Sequence, residues 1–358
     1  MHGVALVAQC RAGFEGEAAT DLRRIAAHAA VTLEVATAPA SGYVIARVAM
    51  LDRHAWERAE TAVPPIFARS VFTGLGPVAL LPATAATRAD RVTPLLAAMT
   101  EVAEPPPWRS VWIEFPDTND GKELSSLGRA LGSRVEGALR AESKLHADAK
   151  RRLHVFLTGG GTAFVGTSDA QRTSWPMGIP RLRKPAGAAS RSTLKLAEAF
   201  LTFLGDRESA LLRPGLRAVD LGAAPGGWTW QLAQRGLHVT AVDNGPLKGA
   251  VTGDPLVTHL REDGLRWRPR RPVDWVTCDI VEQPLPIAEM MARWIAEGAA
   301  RRAIFNLKLP MKKRYDEVRR CEQRIGEILS RAKTRYTLRV RQLYHDREEV
   351  TAYLAAVD

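Results

Sequence analysis

The second half of the chain alternates short apolar runs with segments whose apolar residues recur at helical spacing. In residues 218–235 an apolar run ends at Asp220, a turn rich in Gly and Pro follows, and apolar residues then repeat at helical spacing. That order predicts a strand, a tight turn and a helix. We therefore predict a doubly wound α/β domain whose ligand lies at the carboxyl ends of its strands. Further predicted strands cover 238–244, 273–278, 303–307, 337–344 and 349–356, and predicted helices cover 192–203, 285–299 and 315–332.

The first half of the chain has shorter and less regular elements. Residues 3–48 predict a strand, a helix and two further strands, which is a β-α-β-β unit. The Ala-rich stretch 53–103 predicts one strand, and a second composite unit with a Gly-rich hairpin turn follows it. We predict two small α+β modules that bind substrate ahead of the α/β domain. Their predicted strands cover 3–9, 31–37, 42–48, 67–72, 110–115, 153–157 and 163–166, and their predicted helices cover 13–29 and 125–142.

Residues 174–187 have the most linker-like composition in the chain, with three prolines and two glycines. Arg181, Arg183 and Lys184 in this stretch would place positive charge at the entrance of the following domain. Hydroxyl residues just beyond it can cap the helix that follows. We therefore predict three domains and one linker, with the domains at 1–52, 53–173 and 190–358 and the linker at 174–189.

Composition narrows the class of partner. A chain of 358 residues is long enough for two or three domains. Its hydrophobic fraction of 46% and charged fraction of 25% are ordinary for a soluble globular protein. The net charge of +11 is not ordinary, and it favours a polyanionic partner. We expect nucleic acid rather than an acidic membrane surface, because no strongly amphipathic basic helix is evident.

The three cysteines are far apart and form no CxxC pair. We therefore expect neither disulfides nor a metal site, and a reducing cytoplasmic environment suits the chain. The first residues lack the basic start and long apolar core of a signal peptide, and no apolar run is long enough to cross a bilayer. The expected location is the cytoplasm, with no membrane partner.

The turn after Asp220 indicates a nucleoside cofactor. Its spacing, Asp-Leu-Gly-Ala-Ala-Pro-Gly-Gly over 220–227, differs from the G-x-G-x-x-G that seats a pyrophosphate, so a dinucleotide is disfavoured. Asp243 closes the next apolar run, about where an acidic residue would bind a ribose hydroxyl pair. The turn resembles the cofactor loop of S-adenosylmethionine (AdoMet)-dependent methyltransferases. A buried turn without a ligand is the structural alternative, although Pro-Gly-Gly at a helix start is poor for stability.

Charged residues also follow or end predicted strands. Asp279 follows one apolar strand and Lys308 ends another, where an ionisable group is costly unless it is paired. Each alone could be a structural ion pair, and Lys195 alone could be a solvated helix residue. Together with Glu349 they resemble the Lys/Asp/Lys/Glu set of FtsJ-like 2′-O-ribose methyltransferases. Glu348 is adjacent to Glu349, and strand alternation sends the two side chains to opposite faces, so the sequence leaves that choice open.

The chemistry of such a set requires a base. A ribose hydroxyl is a poor nucleophile until a base takes its proton as the oxygen attacks the methyl group in line. Lysine serves only if its pKa falls to about 7 or 8 through burial and like charge. Lys195 and a sulfonium would lower the pKa of Lys308, whereas Asp279 would raise it. We therefore assign Lys308 as the base and Asp279 to orientation.

The resemblance extends to a family. Long stretches are similar to the RlmM family of bacterial 23S rRNA cytidine 2′-O-methyltransferases, most densely after Met177. This resemblance implies a Rossmann-like AdoMet-dependent methyltransferase domain preceded by a ferredoxin-like module and a THUMP RNA-binding domain. It also implies a substrate cytidine in the peptidyl-transferase loop. The similar segments are 11–15, 177–182, 190–196, 219–228, 242–246, 260–264, 305–315 and 341–350.

The same resemblance implies site residues and a substrate state. Lys308 would be the proton acceptor, and Ala224 departs from the family motif, which often has Cys at that position. The target would be methylated in protein-poor rRNA before full ribosome assembly, since the loop is buried later. Oligomeric state stays open. The residues implied to contact AdoMet are Ser192, Ala224, Pro225, Gly226, Gly227, Asp243, Asp263 and Asp279.

Other functions remain open at this stage. The chain could be an RNA-binding factor with a vestigial methyltransferase domain, a methyltransferase for another RNA, or one for a small molecule. Methylation of a base amino group is disfavoured, because Asp279-Ile-Val-Glu282 replaces the usual Asn/Asp-Pro-Pro-aromatic turn. Pyrimidine C5 methylation needs a cysteine nucleophile, and Cys278 lies at a strand end without the expected preceding proline.

Overall fold

A computed structural model of the chain describes residues 4–81, 90–172 and 175–357. The chain forms two compact units, Met1–Pro180 and Arg181–Asp358. The division falls inside the predicted linker. Both units combine helices with a sheet, and the predicted α/β fold class is confirmed. Across the described ranges, every helix is too short or too polar to span a bilayer.

The first unit is built on a mixed sheet of seven strands within the described residues, in the order β2-β3-β1-β4-β7-β6-β5. All pairs are antiparallel except β5 with β6. Strands from both predicted front modules share this sheet, so the division at residue 52 stays a prediction. The strands are β1 Val4–Gln9, β2 Glu34–Thr37, β3 Tyr43–Val48, β4 Ser70–Ala79, β5 Val111–Glu114, β6 Arg151–Gly159 and β7 Thr162–Asp169, and the helices are α1 Glu15–His28, α2 Arg53–Ala62, α3 Val92–Thr100, α4 Asn119–Glu123 and α5 Ser125–Ala141.

The Ala-rich stretch contains two helices, α2 and α3, that the apolar pattern did not predict. Alanine gives little contrast between buried and exposed faces, so the helical period is weak in the sequence. In α2 the buried face consists of Trp56 and Ala59. Asp52 begins that helix by accepting a hydrogen bond from the backbone of Ala55.

The predicted strand at 67–72 is also displaced, because β4 begins at Ser70. The fully buried carboxylate of Asp21 on α1 accepts backbone N–H groups from Ile66, Phe67 and Ala68 at 2.9, 2.6 and 2.9 Å. Residues whose N–H groups point at one oxygen cannot join a strand ladder, so this segment forms a turn.

We expect Asp21→Ala to destabilise the first unit by about 3 kcal/mol, because it leaves three buried N–H groups unsatisfied. Urea unfolding followed by circular dichroism measures the change. Asp21→Asn keeps one accepting oxygen and should lose less. Replacing the exposed Asp148 by Ala is the matched control, expected to change stability by less than about 0.5 kcal/mol. A loss no larger than the control's would contradict the role of Asp21.

The second unit is a doubly wound sheet of seven strands within the described residues, in the order β10-β9-β8-β11-β12-β14-β13. The first five strands in this order are parallel, and β14 lies antiparallel between β12 and β13. The start of β14 therefore lies beside the carboxyl end of β12. The strands are β8 Arg217–Leu221, β9 His238–Val242, β10 Val257–Leu260, β11 Val273–Cys278, β12 Ala300–Lys308, β13 Tyr336–Arg341 and β14 Glu349–Ala356, and the helices are α6 Thr193–Phe203, α7 Glu208–Leu211, α8 Gly227–Ala233, α9 Pro284–Ala296 and α10 Arg314–Arg331.

Strand β13 ends three residues before the predicted end at 344. Glu198 on α6, which is 2% exposed, accepts the backbone N–H groups of Tyr344 and His345 at 2.7 and 2.9 Å. A buried carboxylate thus binds the turn between β13 and β14. The position of this turn then determines the residue at which β14 begins.

Candidate active site

Four charged side chains meet at the carboxyl ends of the central strands. Lys308 ends β12, Asp279 follows β11, Glu349 begins β14 and Lys195 lies on α6. The Nζ atom of Lys308 lies 2.6 Å from Oδ1 of Asp279, and that of Lys195 lies 3.4 Å from Oδ2. Each lysine also contacts one oxygen of Glu349. The structure therefore brings together all four residues that the sequence assigned to catalysis, here called the tetrad.

The tetrad is largely withdrawn from solvent, with side-chain exposures of 7% for Glu349 and 24% for Lys308. Burial lowers the pKa of Lys308, but the charges of Asp279 and Glu349 outweigh burial and raise it above its ordinary value. The sequence argument set lowering by Lys195 and a sulfonium against raising by Asp279, and among the side chains of the structure the raising effect is the larger. Asp279 raises this pKa most, and Glu349 adds a second carboxylate that the sequence argument did not count.

The structure also distinguishes the two neighbouring glutamates. Lys308 and Glu349 are direct cross-strand partners of β12 and β14. Glu348 is 61% exposed and pairs with Arg314 at 2.8 Å. Glu349 therefore belongs to the tetrad, and Glu348, which precedes β14, does not.

A cleft of about 300 Å³ opens beside the tetrad at the ends of β8, β9 and β11. Asp243 is held at its edge by two backbone hydrogen bonds, from Ala224 to Oδ2 at 3.0 Å and from Gly245 to Oδ1 at 2.7 Å. Asp279 belongs to both the cleft and the tetrad. The cleft is lined by Gly222, Ala224, Val242, Asp243, Asn244, Glu262, Asp263, Gly264, Leu265, Asp279, Ile280 and Val281.

The predicted cofactor residues divide into two groups. Four of them line the cleft, and the others form the turn that leads into α8 or lie against that turn. In this turn Gly226 has a φ of 110°, and a Cβ added at Gly227 would lie 2.5 Å from Oγ of Ser192. Close approach of backbone to side chain therefore requires glycine here. The cleft group is Ala224, Asp243, Asp263 and Asp279, and the turn group is Ser192, Pro225, Gly226 and Gly227.

The turn is anchored from below by Asp220. Its carboxylate is fully buried and accepts hydrogen bonds from Thr229 at 2.6 Å and Thr277 at 2.9 Å. Burial raises the pKa of Asp220 to about 7. One side chain thus ties β8 to both β11 and α8, which holds the glycine turn over the cleft.

Three residues that line the cleft, Gly222, Gly264 and Ile280, pack closely against one another. Sequence reasoning did not assign a role to them. A Cβ added at Gly222 would lie 2.7 Å from Cγ1 of Ile280, and one at Gly264 would lie 3.1 Å from its Cδ1. Gly222 has a φ of 74°. The glycine of Asp-Leu-Gly could have been found in the sequence, because it directly follows a strand at a turn.

Cys278 is completely buried at the end of β11, and burial raises the pKa of its thiol to about 12. A thiol that stays protonated is a poor nucleophile. Trp228 is likewise buried and donates its ring N–H to the backbone of Ser192, so it packs inside the unit. The structure gives Cys278 a packing role.

We expect Cys278→Ala to retain methyl transfer within about twofold of the parent, because a protonated core thiol takes no part in the reaction. The measurement is transfer of labelled methyl from AdoMet to rRNA, the reaction that the family resemblance implies. Cys321→Ala is the matched control, since that thiol is equally buried on α10 and away from the strand ends. Loss of transfer in the first variant alone would favour a cysteine nucleophile and C5 methylation.

Comparison with known proteins identifies two regions of the chain. Residues 188–310 match the family FtsJ-like methyltransferase, and residues 90–169 match the family described as ribosomal RNA large subunit methyltransferase M, N-terminal. The match over residues 188–310 assigns the Rossmann-like domain to the FtsJ-like methyltransferases. The chain is an enzyme of that class, and its methyl donor is S-adenosyl-L-methionine.

Sequence relatives name the particular family. The chain is 54% identical over 268 residues to ribosomal RNA large subunit methyltransferase M of Laribacter hongkongensis (strain HLHK9), covering 74% of this chain and 75% of that one. It is 45% identical over 361 residues to the protein of that name from Thauera aminoaromatica, covering 98% and 95%. TrmN from Thermus thermophilus is a solved structure with 18% identity and a TM-score of 0.36, covering 99% and 100%. The chain belongs to the ribosomal RNA large subunit methyltransferase M family, as its sequence relatives show. The family resemblance found in the sequence is therefore confirmed.

Proposed function

We propose that this enzyme methylates the ribose 2′-oxygen of a cytidine in the peptidyl-transferase loop of 23S rRNA, before the large subunit is fully assembled. The observation that carries the ribose assignment is the tetrad, in which an amine and a carboxylate lie beside the cofactor cleft. The relatives are named for the RNA of the large ribosomal subunit, which supports the substrate class. The nucleotide and the loop rest on the family resemblance.

The cleft suits AdoMet. The donor supplies a methyl group on a positively charged sulfur, and acidic side chains line the space that would receive it. Asp243 would bind the ribose hydroxyls, because its carboxylate is already oriented by two backbone N–H groups. Asp263, whose Oδ1 accepts the N–H of Leu265 at 2.9 Å, would contact the adenine of AdoMet. The turn at 224–227 would pass close to the rest of the cofactor.

The tetrad residues divide the work on the ribose hydroxyl. Lys308 would accept its proton, and Asp279 and Glu349 would hold that amine in place through the contacts described above. A positive charge bound beside Asp279 opposes the carboxylates and lowers the pKa of Lys308 towards the range that a base requires. Lys195 neutralises the second oxygen of each carboxylate, so the tetrad carries no net charge when all four groups are ionised.

An RNA substrate fits the charge of the second unit. Arg181, Arg183, Lys184, Lys312 and Lys313 are exposed, and the last two lie just beyond Lys308 in the chain. Such residues can contact phosphates without reading sequence. A tetrad at the floor of a cleft cannot reach a ribose in regular helix, so the target nucleotide must be unpaired or become so.

The test is to map methyl groups in rRNA from cells with and without the protein, by nuclease digestion and mass spectrometry. A ribose methyl group on one cytidine should disappear with the protein and return when purified enzyme and AdoMet act on protein-poor rRNA. Intact 50S particles should be poorer substrates. Loss of a base methyl group instead would overturn the ribose assignment, and unchanged rRNA would favour another RNA or a small molecule.

We expect binding to rRNA fragments to weaken with salt, with a slope of log K against log [salt] of about −3 to −4 if five basic side chains contact single-stranded phosphates. Filter binding between about 50 and 200 mM salt measures it. Replacing Arg181, Arg183 and Lys184 together by Ala should reduce the slope by about 2. A slope near zero would argue against a polyanionic substrate.

A further inference from the structure

A second polar pair lies one step deeper in the sheet than Lys308 and Glu349. Asn306 on β12 and Thr351 on β14 are direct cross-strand partners, as Lys308 and Glu349 are. Residues two apart on a strand share a face, so the two pairs are stacked on the same side of the sheet. Asn306 and Thr351 are both 0% exposed. Buried amide and hydroxyl groups are costly unless they are bonded, so their partners are informative.

The pair connects the tetrad to a buried acid. Asn306 donates from Nδ2 to Oδ1 of Asp279 at 2.9 Å, the same oxygen that Lys308 contacts at 2.6 Å. Oγ1 of Thr351 lies 2.8 Å from Oδ1 of Asn306. It also lies 3.1 Å from Oδ1 and 2.9 Å from Oδ2 of Asp346, in the turn before β14. A continuous chain of hydrogen bonds therefore runs from Asp346 to Lys308.

The hydrogens in this chain can be counted. The amide of Asn306 turns its nitrogen to Asp279, so its oxygen faces Thr351 and can only accept. The single hydrogen of the Thr351 hydroxyl then goes to Asn306. Asp346 must supply a hydrogen of its own, because an ionised carboxylate could only accept from that hydroxyl. Burial, followed by the charges of Glu349 and Glu198, raises the pKa of Asp346 well above its ordinary value, which agrees with a protonated acid.

We propose that Asn306 is a positioning residue for Lys308, and that Thr351 and a protonated Asp346 fix the orientation of its amide. If the amide turned over, its oxygen would face the Asp279 carboxylate and repel it. In the observed orientation the amide holds Oδ1 of Asp279 towards the amine. It also shares that oxygen with Lys308, which weakens the hold of the carboxylate on the ammonium proton.

Each hydrogen bond in this network has a fixed donor and a fixed acceptor. Variants that change a donor without changing size therefore separate a positioning role from simple packing. Thr351→Val keeps the size and β-branching but removes the hydroxyl, so the amide loses the bond that fixes its orientation. Asp346→Asn keeps a donor, because an N–H at the position of Oδ1, which lies 3.1 Å from Oγ1 of Thr351, can replace the acid hydrogen. Its oxygen can still accept the backbone N–H of Leu343, which lies 2.9 Å from Oδ2. A purely structural role predicts no such difference.

The experiment rests on the proposed ribose methylation and measures kcat, KM for an rRNA fragment and AdoMet affinity. Asn306→Ala should lower kcat by about 100-fold and Thr351→Val by about tenfold, with KM and AdoMet affinity within about twofold of the parent. Asp346→Asn should retain kcat within about threefold. Thr240→Val on β9 is the matched control for loss of a hydroxyl in the same sheet and should leave kcat unchanged. Thermal unfolding of each variant identifies any that fail to fold.

Two outcomes would overturn the positioning role. One is Thr351→Val with the kcat of the parent, and the other is Asp346→Asn with a loss of kcat as large as that of Thr351→Val. If Asn306→Ala does not fold, Thr351→Val and Asp346→Asn still decide. Failure of the proposed function is distinguishable, because the parent would then place its methyl group on a base, or Lys308→Ala would stay active.

Discussion

Lys308→Ala is expected to abolish methyl transfer while AdoMet binding stays within a few fold of the parent. The variant lacks the group that we propose as acceptor of the hydroxyl proton, and a general base contributes about 10²- to 10⁴-fold. Asp279 and the rest of the cleft remain to bind the donor. Transfer of labelled methyl to rRNA measures the first effect, and isothermal titration with AdoMet measures the second. Transfer within a few fold of the parent would remove Lys308 from the role of base.

Two further variants test whether the loss of positive charge at Lys308, or any change in the segment that follows it, would explain the result. Lys308→Arg keeps a positive charge towards Asp279 and Glu349 but cannot give up its proton, so it should be as inactive as Ala. If the lysine served only to neutralise the carboxylates, the Arg variant would be active. Lys312→Ala removes an exposed lysine from the same segment and should change only RNA affinity.

The raised pKa of Lys308 sets the direction of the pH dependence. Its folded pKa lies above the ordinary value because Asp279 and Glu349 outweigh burial. The free amine is therefore scarce at neutral pH, and the transfer rate should rise from about pH 7 to about pH 9. Lys308→Ala should lose that rise along with the activity.

Gly222→Ala is expected to weaken AdoMet binding by at least about tenfold, or about 1.4 kcal/mol. Its φ of 74° disfavours a side chain, and the added Cβ would lie 2.7 Å from Cγ1 of Ile280, which also forms part of the cleft wall. Ile280 also follows Asp279 directly, so a shift of that wall disturbs the tetrad. Isothermal titration gives the affinity, and thermal unfolding gives the accompanying loss of stability.

Gly215→Ala provides the matched control. Gly215 has a φ of 84°, and nothing lies within 4 Å of an added Cβ. It precedes β8, whereas Gly222 follows it, so the two changes strain the backbone at opposite ends of one strand. The control should lose stability but keep its affinity for AdoMet. Equal affinities in the two variants would contradict a role for the close contact between Gly222 and Ile280.

The sequence was most informative where local pattern and parallel topology agree. Alternation of apolar runs and helices predicts a parallel sheet, and the carboxyl ends of parallel strands meet at one edge. Asp279 and Lys308 could therefore be placed together before any coordinates were known. The Ala-rich stretch holding α2 and α3 gave no such signal, because alanine marks neither face of a helix. The turn at residues 66–68 depends on Asp21, which is 45 residues away in the chain.

The sequence by itself determined the class of domain, the glycine turn beside the cleft and the four charged residue types, because each depends on spacing along the chain. Tertiary structure alone decided which glutamate joins the tetrad, since that follows from the antiparallel pairing of β14 with β12. It also decided that the pKa of Lys308 rises and that Asn306 contacts Asp279. Electrostatic and hydrogen-bond partners are set by distances in space, and here residues 27 to 41 positions apart lie within contact of one another.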